Sequence, residues 1–276
     1  MENYTIGSKR GLIKAKEIKI GKNVTFGKNI DIQIKGKFSI GDNSHLGSNC
    51  EIRGNNISFG KHLYNSSGLR IGGGGRQNPN ANFSIGDRCT IHNNFINVCE
   101  PVTIGNDVGL SPDTSILTHG YWLSVLEGNP ASFKGVIIGD SVIVGYRSLI
   151  MMGVYITGGC VIGAQSIVTK HLTKVGIYAG SPAKFIKKII PLKTDAQINL
   201  IQDIIEKYKP IALYHNIKSS IKLDFPIIKI DDFEMNCNTF EYSGIETEET
   251  DDFRDYIRKY GIRIYTGRPF KSKFKI

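Results

Sequence analysis

The sequence predicts a mainly β fold, in which a parallel β-helix of six-residue repeats is followed by a small α+β module. Between residues 138 and 170, aliphatic residues recur at a stride of six: Ile138, Val144, Ile150, Ile156, Ile162 and Val168. A period of six is neither 3.6 nor 2, so an amphipathic helix and a simple alternating strand are both excluded. Short strands that are joined by turns and stacked into one continuous core produce this period.

Small residues and glycines complete the repeat. Four places after each of the first five aliphatic residues stand Val142, Ser148, Val154, Cys160 and Ser166. Glycine follows three of the aliphatic residues, at 139, 145 and 163. We expect these glycines to supply corner conformations that are closed to other residues.

The repeat extends towards the N-terminus and defines three segments. Residues 1–19 are expected to be a lead-in or cap, residues 20–190 the β-helix, and residues 191–276 the α+β module. Earlier aliphatic residues continue the stride in shorter runs: Ile20, Phe26, Ile32, Ile40, Leu46, Ile52, Phe59, Ile71, Ile85, Ile91, Ile104, Leu110 and Ile116. The glycine run 72–75 and residues 76–82 read as an outer turn or as a wall of an acceptor site, because no nucleotide-binding motif follows them.

One long excursion interrupts the coil. After Ile116 the next repeat residue is due near 122, but the chain returns only at Ile138, and the intervening stretch contains Thr118-His119-Gly120 and the single tryptophan, Trp122. Loops on a rigid scaffold often carry functional residues. This loop is therefore the first candidate for a site. Its Glu127 is expected to be a solvated acid, or else to orient His119 or the acceptor.

Charge and cysteine content limit the classes of function. Residues 1–189 hold 21 basic and 11 acidic residues, whereas residues 190–276 hold 14 of each. A basic repeat half favours an anionic partner, but the basic residues are not interleaved with aromatic ones, so no nucleic-acid partner is expected. Five cysteines argue against a disulfide framework. With neither a signal peptide nor a membrane-length apolar segment, a soluble cytoplasmic protein without an integral membrane segment is expected.

The period changes after residue 190. A capping-box pattern, Thr194 to Gln197, predicts a helix that Pro210 ends. Strands are expected over 227–233, 239–242 and 262–266, and a second helix over 248–260. Because the open end of a β-helix exposes strand edges, this module is expected to cap the coil, to form an oligomer contact or to bind the acceptor.

Residues 85–190 resemble the hexapeptide-repeat acyltransferases, a left-handed β-helix family that includes galactoside, maltose and surface-polysaccharide O-acetyltransferases. The matching segments are VIIGDSVIVGYRSLIMMGVYITGGCVIGAQSIVTKHL at 136–172 and GIYAGSPAKFIKKI at 176–189. The Thr-His-Gly loop stands 20 residues before Gly139, as the family's catalytic loop does. The resemblance implies a left-handed coil, a homotrimer with sites between subunits, and acetyl-CoA as the acyl donor.

The resemblance also implies roles for individual residues. His119 corresponds to the family's general base, a role that suits a side chain titrating near neutrality. The acceptor, a carbohydrate, is expected to contact Asn93, Asn97, Tyr121 and Trp122. Acetyl-CoA is expected to contact Gly145, Tyr146, Ala164, Ser166, Thr169, Lys170, Pro182 and Lys184, with an oxyanion donor on the backbone near residues 145–146. Lys184, Lys187 and Lys188 are expected to lie within one helical turn, and Ile143 stands where family members often have tryptophan.

Four functions are weighed from the sequence. The first is acetyl-CoA-dependent O-acetylation of a sugar hydroxyl of a surface polysaccharide or its precursor, by direct transfer. The second is N-acylation of a nucleotide-linked amino sugar, and the third is a non-catalytic β-helix scaffold. The fourth is a metal hydratase, which would need three histidines around zinc. His171 is the first histidine after His119, so the third ligand is missing and no metal is expected.

Overall fold

The computed structural model describes residues 2–7, 11–74 and 78–273. The chain divides into two compact units, Met1–Ile189 and Ile190–Ile276. Residues 75–77, which include the end of the predicted glycine run, lie outside the described residues. Among the described residues, no helix is both long and apolar enough to cross a membrane.

The first unit is a parallel β-helix. In the described part of the chain its coil strands fall into three sheets, which we call face 1, face 2 and face 3. Each coil passes from face 3 to face 2 to face 1 and then to face 3 of the next coil. The predicted parallel β-helix of hexapeptide repeats is thereby confirmed, and its left hand stays a prediction.

The strands of each face follow one another along the coil axis. Face 1 contains Glu2–Ile6, Gly11–Ala15, Ile30–Ile34, Cys50–Gly54, Arg70–Gly72, Phe95–Asn97, Ser115–Ile116, Leu149–Ile150 and Ile167–Val168. Face 2 contains Thr25–Phe26, His45–Ser48, Tyr64–Ser67, Thr90–Ile91, Gly109–Leu110, Ile143–Val144, Val161–Ile162, Ile177–Ala179 and Lys184–Lys187. Face 3 contains Glu17–Ile20, Lys37–Ile40, Ile57–Phe59, Phe83–Ile85, Val102–Ile104, Val136–Ile138 and Tyr155–Ile156.

The repeat residues form the core of the coil. All six aliphatic residues between 138 and 168 are at most 1% exposed. The smaller residues four places later are buried as well, from Val142 to Ser166. Cys50, Cys89 and Cys160 are free and buried, as small apolar residues are. Burial raises the pKa of the Cys50 thiol to about 11, which disfavours the reactive thiolate form of this residue.

The repeat glycines are required for close approach, not for a left-handed backbone. A Cβ on Gly145 would lie 2.5 Å from the Ala164 backbone nitrogen, and one on Gly139 would lie 2.6 Å from that of Gly158. The positive φ angles occur two residues further on, at Ser141 and Arg147, both at 56°. The expected reason for these glycines was therefore wrong. Neighbouring coils touch there, and nothing larger than hydrogen fits.

The N-terminal segment is already part of the coil. Glu2–Ile6 pairs antiparallel with Gly11–Ala15, and the latter pairs in parallel with Ile30–Ile34. Glu17–Ile20 is the first strand of face 3. The first coil therefore includes residues of the predicted lead-in 1–19, and the antiparallel strand covers its open edge.

The second unit is an α+β module. Its helices are Thr194–Tyr214 and Glu248–Ile257, the latter followed by a 3₁₀ turn at Arg258–Tyr260. Its antiparallel sheet has the strand order Ile221–Asp224, Ile227–Ile230, Phe233–Asn236 and Tyr242–Gly244. The core consists of one side of the sheet and the apolar stripes of both helices, including Ile205, Ile228 and Phe253.

Several predicted boundaries in this unit were wrong. The first helix continues through Pro210 to Tyr214, and Lys193, without a side-chain cap, precedes it. The strand expected over 227–233 is two strands joined by a turn in which Asp231 has a φ of 50°. Residues 262–266 form no strand. The capping box lies instead at Thr247 and Thr250, at the start of the second helix.

Candidate active site

The excursion leaves the coil at the turn between face 1 and face 3, which we call the histidine corner. The Leu117 N–H still donates to the Ile150 carbonyl oxygen at 2.9 Å, and the chain then departs. His119–Gly120 pairs antiparallel with Ser132–Phe133, which places His119 opposite Phe133. This two-stranded ribbon closes the base of the loop, so His119 is held at the coil and not at the loop tip.

Asn97 holds the imidazole of His119. Its Oδ1 atom accepts from His119 Nδ1 at 2.8 Å and from the Thr118 N–H at 3.3 Å. Its Nδ2 atom donates to the carbonyl oxygens of Gly72 and Gly73, at 3.1 and 2.7 Å. Because a backbone N–H only donates and a carbonyl oxygen only accepts, these contacts fix which end of the amide faces the ring.

The orientation of this amide fixes the histidine tautomer. Oδ1 of Asn97 has no hydrogen to give, so Nδ1 of His119 carries one. In the neutral ring, Nε2 then has a free lone pair, which is what a general base needs. Asn97 is 1% exposed, and both ends of its amide are used inside the chain. It therefore positions His119, and the predicted contact between Asn97 and the acceptor is not supported.

Aromatic rings surround the imidazole. The Phe133 ring is stacked on it with centroids 5.9 Å apart and planes 11° apart, and the Tyr121 ring lies 5.4 Å away. On another side, a Cβ on Gly74 would come within 3.3 Å of His119 Cε1. Trp122, further along the loop, is 90% exposed. Tyr121 thus lies next to His119 and Trp122 lies on the loop beyond it, and their contact with the acceptor stays a prediction.

A second group of predicted residues lies at the turn between face 2 and face 1, which we call the tyrosine corner. Asn93 and Asp113 are hydrogen-bonded to each other there. Burial raises the pKa of Asp113, but hydrogen bonds from Tyr146, Arg147 and Asn93 outweigh it and leave that pKa below its usual value. Within one chain, Asn93 is therefore not beside His119.

The backbone N–H groups of Gly145 and Tyr146 differ in whether they are available to donate to a ligand. The Gly145 N–H donates to the Ile162 carbonyl oxygen at 2.8 Å, so it is unavailable to a ligand. The Tyr146 N–H has no acceptor among the described residues. In the equivalent turn near the start of the coil, the Lys28 N–H donates to Ser48 Oγ of the next coil. In the coil that follows Tyr146, the residue equivalent to Ser48 is Ala164, which has no side-chain oxygen to accept from the Tyr146 N–H.

Ser166 was wrongly predicted to contact the cofactor. Ser166 is buried, and its hydroxyl donates to the Gly163 carbonyl oxygen at 2.7 Å. The Oγ atom of Ser166 also accepts from the Gly180 N–H at 3.1 Å. It thus occupies the small inward position of the repeat. Gly145 is likewise a packing residue, whereas Ala164 is exposed at the tyrosine corner.

The remaining predicted cofactor residues lie near the C-terminal end of the coil and are exposed. Thr169 and Lys170 follow the strand Ile167–Val168 at the histidine corner. Pro182 lies in the turn before Lys184–Lys187, which pairs antiparallel with Ile177–Ala179. Lys184 is therefore on a strand, and the helical turn that was expected to group the lysines is absent from residues 184–188.

Most of the predicted residues thus lie at two corners of the β-helix, whereas Pro182 and Lys184 lie beside the last strands of face 2. One face, about five residues or roughly 16 Å of strand, separates Tyr146 from the turn after Ile150. His119, Tyr121, Thr169 and Lys170 belong to the histidine corner. Asn93, Gly145, Tyr146, Ala164 and Ser166 belong to the tyrosine corner.

Two contacts of His119, with Phe133 and Gly74, were not predicted from the sequence. Phe133 pairs with His119 across the ribbon, and the return of the chain to the coil at Val136, three residues later, was the available signal. Gly74 belongs to the glycine run that was read as an outer turn or as an acceptor wall. The structure places Gly73 and Gly74 against Asn97 and His119, which favours the wall.

Comparison with known proteins supports the repeat. Residues 37–58 and 135–170 match the family described as the hexapeptide repeat of succinyl-transferase. A candidate lipopolysaccharide biosynthesis O-acetyl transferase of Escherichia coli K12, WbbJ, is 29% identical over 154 residues, which are 50% of this chain and 76% of that protein. A candidate acetyltransferase of Schizosaccharomyces pombe is 38% identical over 90 residues, 32% of this chain and 44% of that protein, so this chain spans less than half of that relative.

A solved structure of a polysialic acid-specific acetyltransferase, NeuO, aligns with 74% of this chain and 99% of its own, at 24% identity and a TM-score of 0.41. The family match covers the coils on both sides of the excursion. The six-residue stride, the stacked faces and the sequence matches agree with one another. The chain therefore contains hexapeptide repeats and is similar in sequence to acetyltransferases.

Proposed function

We propose that this chain is an acetyl-CoA-dependent O-acetyltransferase that modifies a sugar hydroxyl of a surface polysaccharide or its precursor. The observation that carries the proposal is the hydrogen bond of 2.8 Å between Asn97 Oδ1 and His119 Nδ1. It leaves Nε2 of the neutral ring unprotonated, at the base of the long loop between Leu117 and Val136. An alcohol needs such a base, because it is a poor nucleophile at neutral pH.

The transfer is direct. His119 Nε2 takes the hydroxyl proton as the acceptor oxygen attacks the thioester carbonyl carbon. The carbon–sulfur bond then breaks, and the protonated ring returns the proton to the departing thiolate, so that the products are the acetyl ester and free coenzyme A. Oδ1 of Asn97 accepts from Nδ1 throughout and holds the ring in one orientation.

The Tyr146 N–H is the proposed donor to the oxyanion. It has no acceptor among the described residues, and the exposed Ala164 leaves the space above it without a competing oxygen. A preorganised backbone N–H aimed at developing charge is a common source of transition-state stabilisation. The sequence predicted an oxyanion donor on the backbone near residues 145–146, and the proposed donor is the N–H of Tyr146.

A second copy of the chain is needed to complete this site. His119 and Tyr146 lie at different corners, separated by the width of face 1, which is too far for both to act on one carbonyl group. Leu149 and Ile167 point outwards on face 1 and are only partly buried in the single chain. We therefore propose a homotrimer in which the histidine corner of one subunit meets the tyrosine corner of the next.

Acetyl-CoA is proposed to lie in that intersubunit groove. The exposed Ala164 would face its pantetheine arm, and Thr169 with Lys170 lies at the other corner, across the groove. The exposed Lys184, near Pro182, would bind phosphate groups by charge. The basic excess of the repeat half fits an anionic donor molecule.

The acceptor is proposed to bind on the loop side of His119. Tyr121 and Trp122 present exposed ring faces, on which the apolar side of a sugar ring can pack. Asn93 of the neighbouring subunit would reach the same groove from the tyrosine corner. The backbone of Gly74 would form the wall on the coil side.

The test is incubation of candidate glycans with the protein and acetyl-CoA, followed by mass spectrometry. We expect the mass of one added acetyl group, and we expect mild alkali to remove it, because an ester is labile where an amide is not. His119→Ala should lower kcat by roughly 10²–10⁴-fold. His45→Ala, at a histidine on face 2 near the N-terminal end of the coil, is the matched control. An unchanged rate in His119→Ala, or an alkali-stable product, would contradict the proposal.

A further inference from the structure

Residues 73–82, which we call the insert, join face 1 to face 3 at the histidine corner. The chain leaves face 1 at Gly72 and rejoins face 3 at Phe83. The structure describes two ends of the insert, residues 73–74 and 78–82. The first end lies against the imidazole, since a Cβ on Gly74 would come within 3.3 Å of His119 Cε1. The second end has been given no role in the acetyl transfer described above.

Glu100 holds the second end of the insert. Its carboxylate oxygens accept from Asn78 Nδ2 at 3.1 Å and from Asn80 Nδ2 at 3.4 Å. Asn78 also donates to the Cys99 carbonyl oxygen at 2.9 Å, and its Oδ1 atom accepts from the Asn80 N–H at 2.9 Å. A hydrogen bond to a carboxylate is stronger than one between neutral groups. The Glu100 side chain is therefore the main polar anchor of residues 78 and 80.

Both ends of the insert are linked to the coil that carries the base. Asn97, which holds the first end through its amide, stands three residues before Glu100. The Glu100 N–H donates to Thr118 Oγ1 at 3.2 Å, and the Thr118 hydroxyl donates to Asn97 Oδ1. Thr118 is fully buried and directly precedes His119. The two anchors of the insert thus meet at the residue next to the base.

We infer that Glu100 is a positioning residue of the acceptor site, which holds the insert at the histidine corner as a wall that limits access to His119. The inference rests on the proposed function for the acceptor itself. A wall that is fixed before binding loses little conformational freedom when the acceptor arrives, so its release should weaken acceptor binding. Acetyl-CoA is proposed to lie in the intersubunit groove, and its binding should not depend on Glu100.

The Glu100 side chain can be removed without loss of the contacts that orient the base. The bond from Glu100 towards His119 uses the backbone N–H, which Glu100→Ala keeps. Asp87→Ala is the matched control, because Asp87 Oδ1 also holds a turn of the preceding coil. That atom accepts from the Lys61 N–H at 2.7 Å, at the corner between face 3 and face 2.

The first test is the reactivity of His119 with diethyl pyrocarbonate, which transfers an ethoxycarbonyl group to an unprotonated imidazole nitrogen. Peptide mass spectrometry gives the rate at each histidine, with the exposed His171 as the internal reference. We expect Glu100→Ala to raise the rate at His119 about 3–10-fold, because the wall opens more often. Asp87→Ala should leave that rate unchanged. An unchanged rate in Glu100→Ala, or an equal rise in both variants, would overturn the inference.

The second test is steady-state kinetics with an accepted glycan. Glu100→Ala should raise the KM for the acceptor about 3–10-fold and leave the KM for acetyl-CoA unchanged, which a general loss of folding would not do. Asn78→Ala should raise the acceptor KM as well. Because both side chains act through one contact, the double variant should show less than the combined effect of the two single variants. A rise in both KM values, or fully additive effects, would contradict the inference.

The two tests distinguish this inference from the proposed function. The modification of His119 needs neither acetyl-CoA nor an acceptor. If Glu100→Ala exposed His119 but the unmodified chain acetylated no glycan, the proposed function would fail and the role of Glu100 at the histidine corner would stand. If the unmodified chain acetylated a glycan and Glu100→Ala changed neither the acceptor KM nor the modification rate, only the role of Glu100 would fail.

Discussion

His119 and Phe133 face each other twice, as backbone partners in the ribbon and as stacked rings 5.9 Å apart. The ring of Phe133 is 47% exposed, so its stacking on His119 buries little apolar surface. The main effect of the stack is to orient the imidazole. A catalytic base is effective only when its lone pair points at the reacting proton. The ribbon and the ring stack therefore act together with the hydrogen bond from Nδ1.

Phe133→Ala should lower kcat about 3–10-fold with little change in the melting temperature, because one ring contact of roughly 1 kcal/mol is lost beside the base. Steady-state kinetics and differential scanning fluorimetry measure the two effects. Leu126→Ala, on a 95% exposed side chain of the same loop, is the control and should not change kcat. Equal loss in both variants would mean that the loop as a whole, and not the ring stack, matters.

Two variants, Asn97→Ala and Asn97→Asp, distinguish the role of Asn97 in positioning the His119 ring from its role in stabilising the fold. Both lose the donation to the Gly72 and Gly73 carbonyl oxygens, and the carboxylate additionally repels them, so Asn97→Asp should be at least as destabilised, by about 1–3 kcal/mol. The carboxylate still accepts from His119 Nδ1, whereas alanine does not. We therefore expect kcat to fall about 10–100-fold in Asn97→Ala and distinctly less in Asn97→Asp.

Urea unfolding and steady-state kinetics give the two quantities for each variant. Asn106→Ala, at a half-buried asparagine that bonds to Asp87 and Asp140 in another turn of the coil, is the matched control: it should lose stability but keep kcat. If activity simply followed stability, Asn97→Asp would be the less active variant, and the positioning role would be wrong.

The coil was predictable because one packing rule repeats. Ile150 and its equivalents must be β-branched or otherwise aliphatic and inward, so the pattern shows directly in the sequence. The site was less predictable, since burial decides roles that residue type leaves open. Ser166 and Thr169 are both hydroxyl residues near a chain end of the coil, yet one fills the core and the other is exposed. The six-residue repeat had already placed Ser166 at a small position, four residues after Ile162, and that signal was the better guide.

Non-local contacts account for the other differences. The role of Asn97 depends on Gly72, Gly73 and Thr118, which are about one coil away in either direction. Pro210 was expected to end a helix, as local chemistry favours. The helix continues because Tyr208 and Ile211, on either side of the proline, pack in the core of the second unit, and burial there outweighs one lost hydrogen bond.

Acid should destabilise the second unit through Glu249. Burial raises the pKa of this carboxyl, but hydrogen bonds from Ser219, Lys218 and Lys273 outweigh it and lower that pKa to about 2. Because the folded-state pKa lies below the unfolded value of 4.5, the stabilisation is complete above pH 4.5 and is lost as the pH falls towards 2. The full effect is about 3 kcal/mol.

Hydrogen exchange of the helix Glu248–Ile257, measured by mass spectrometry between pH 5 and pH 2.5 and corrected for intrinsic rates, would detect this loss. Glu249→Gln removes the titration and should flatten the pH dependence. Glu234→Gln, at an exposed ion pair with Lys229, is the control that should leave it intact. A pH dependence that persists in Glu249→Gln would assign the effect to other carboxyl groups.

Tyr146→Pro tests the proposed oxyanion donor at the level of one hydrogen atom. In the preceding coil, Pro112 occupies the position equivalent to Tyr146, since Leu110 and Val144 are partners in face 2. The turn thus accepts proline, and the substitution removes the N–H without a change of backbone. Tyr146→Ala removes the ring and its hydrogen bond to Asp113 but keeps the N–H.

Loss of one oxyanion donor typically costs about 10²–10³-fold in kcat, so Tyr146→Pro should show this loss with the oligomer intact. Tyr146→Ala should retain a kcat within about tenfold of the unmodified chain, because only a side-chain contact worth roughly 1 kcal/mol is removed. Steady-state kinetics with saturating acetyl-CoA and size-exclusion chromatography with light scattering measure the two quantities. If both variants lost activity equally, the side chain and not the N–H would be the functional group. If neither variant lost activity, the donor to the oxyanion would be a group outside residues 145–146. The Gly145 N–H could not replace that of Tyr146, because it donates to the Ile162 carbonyl oxygen.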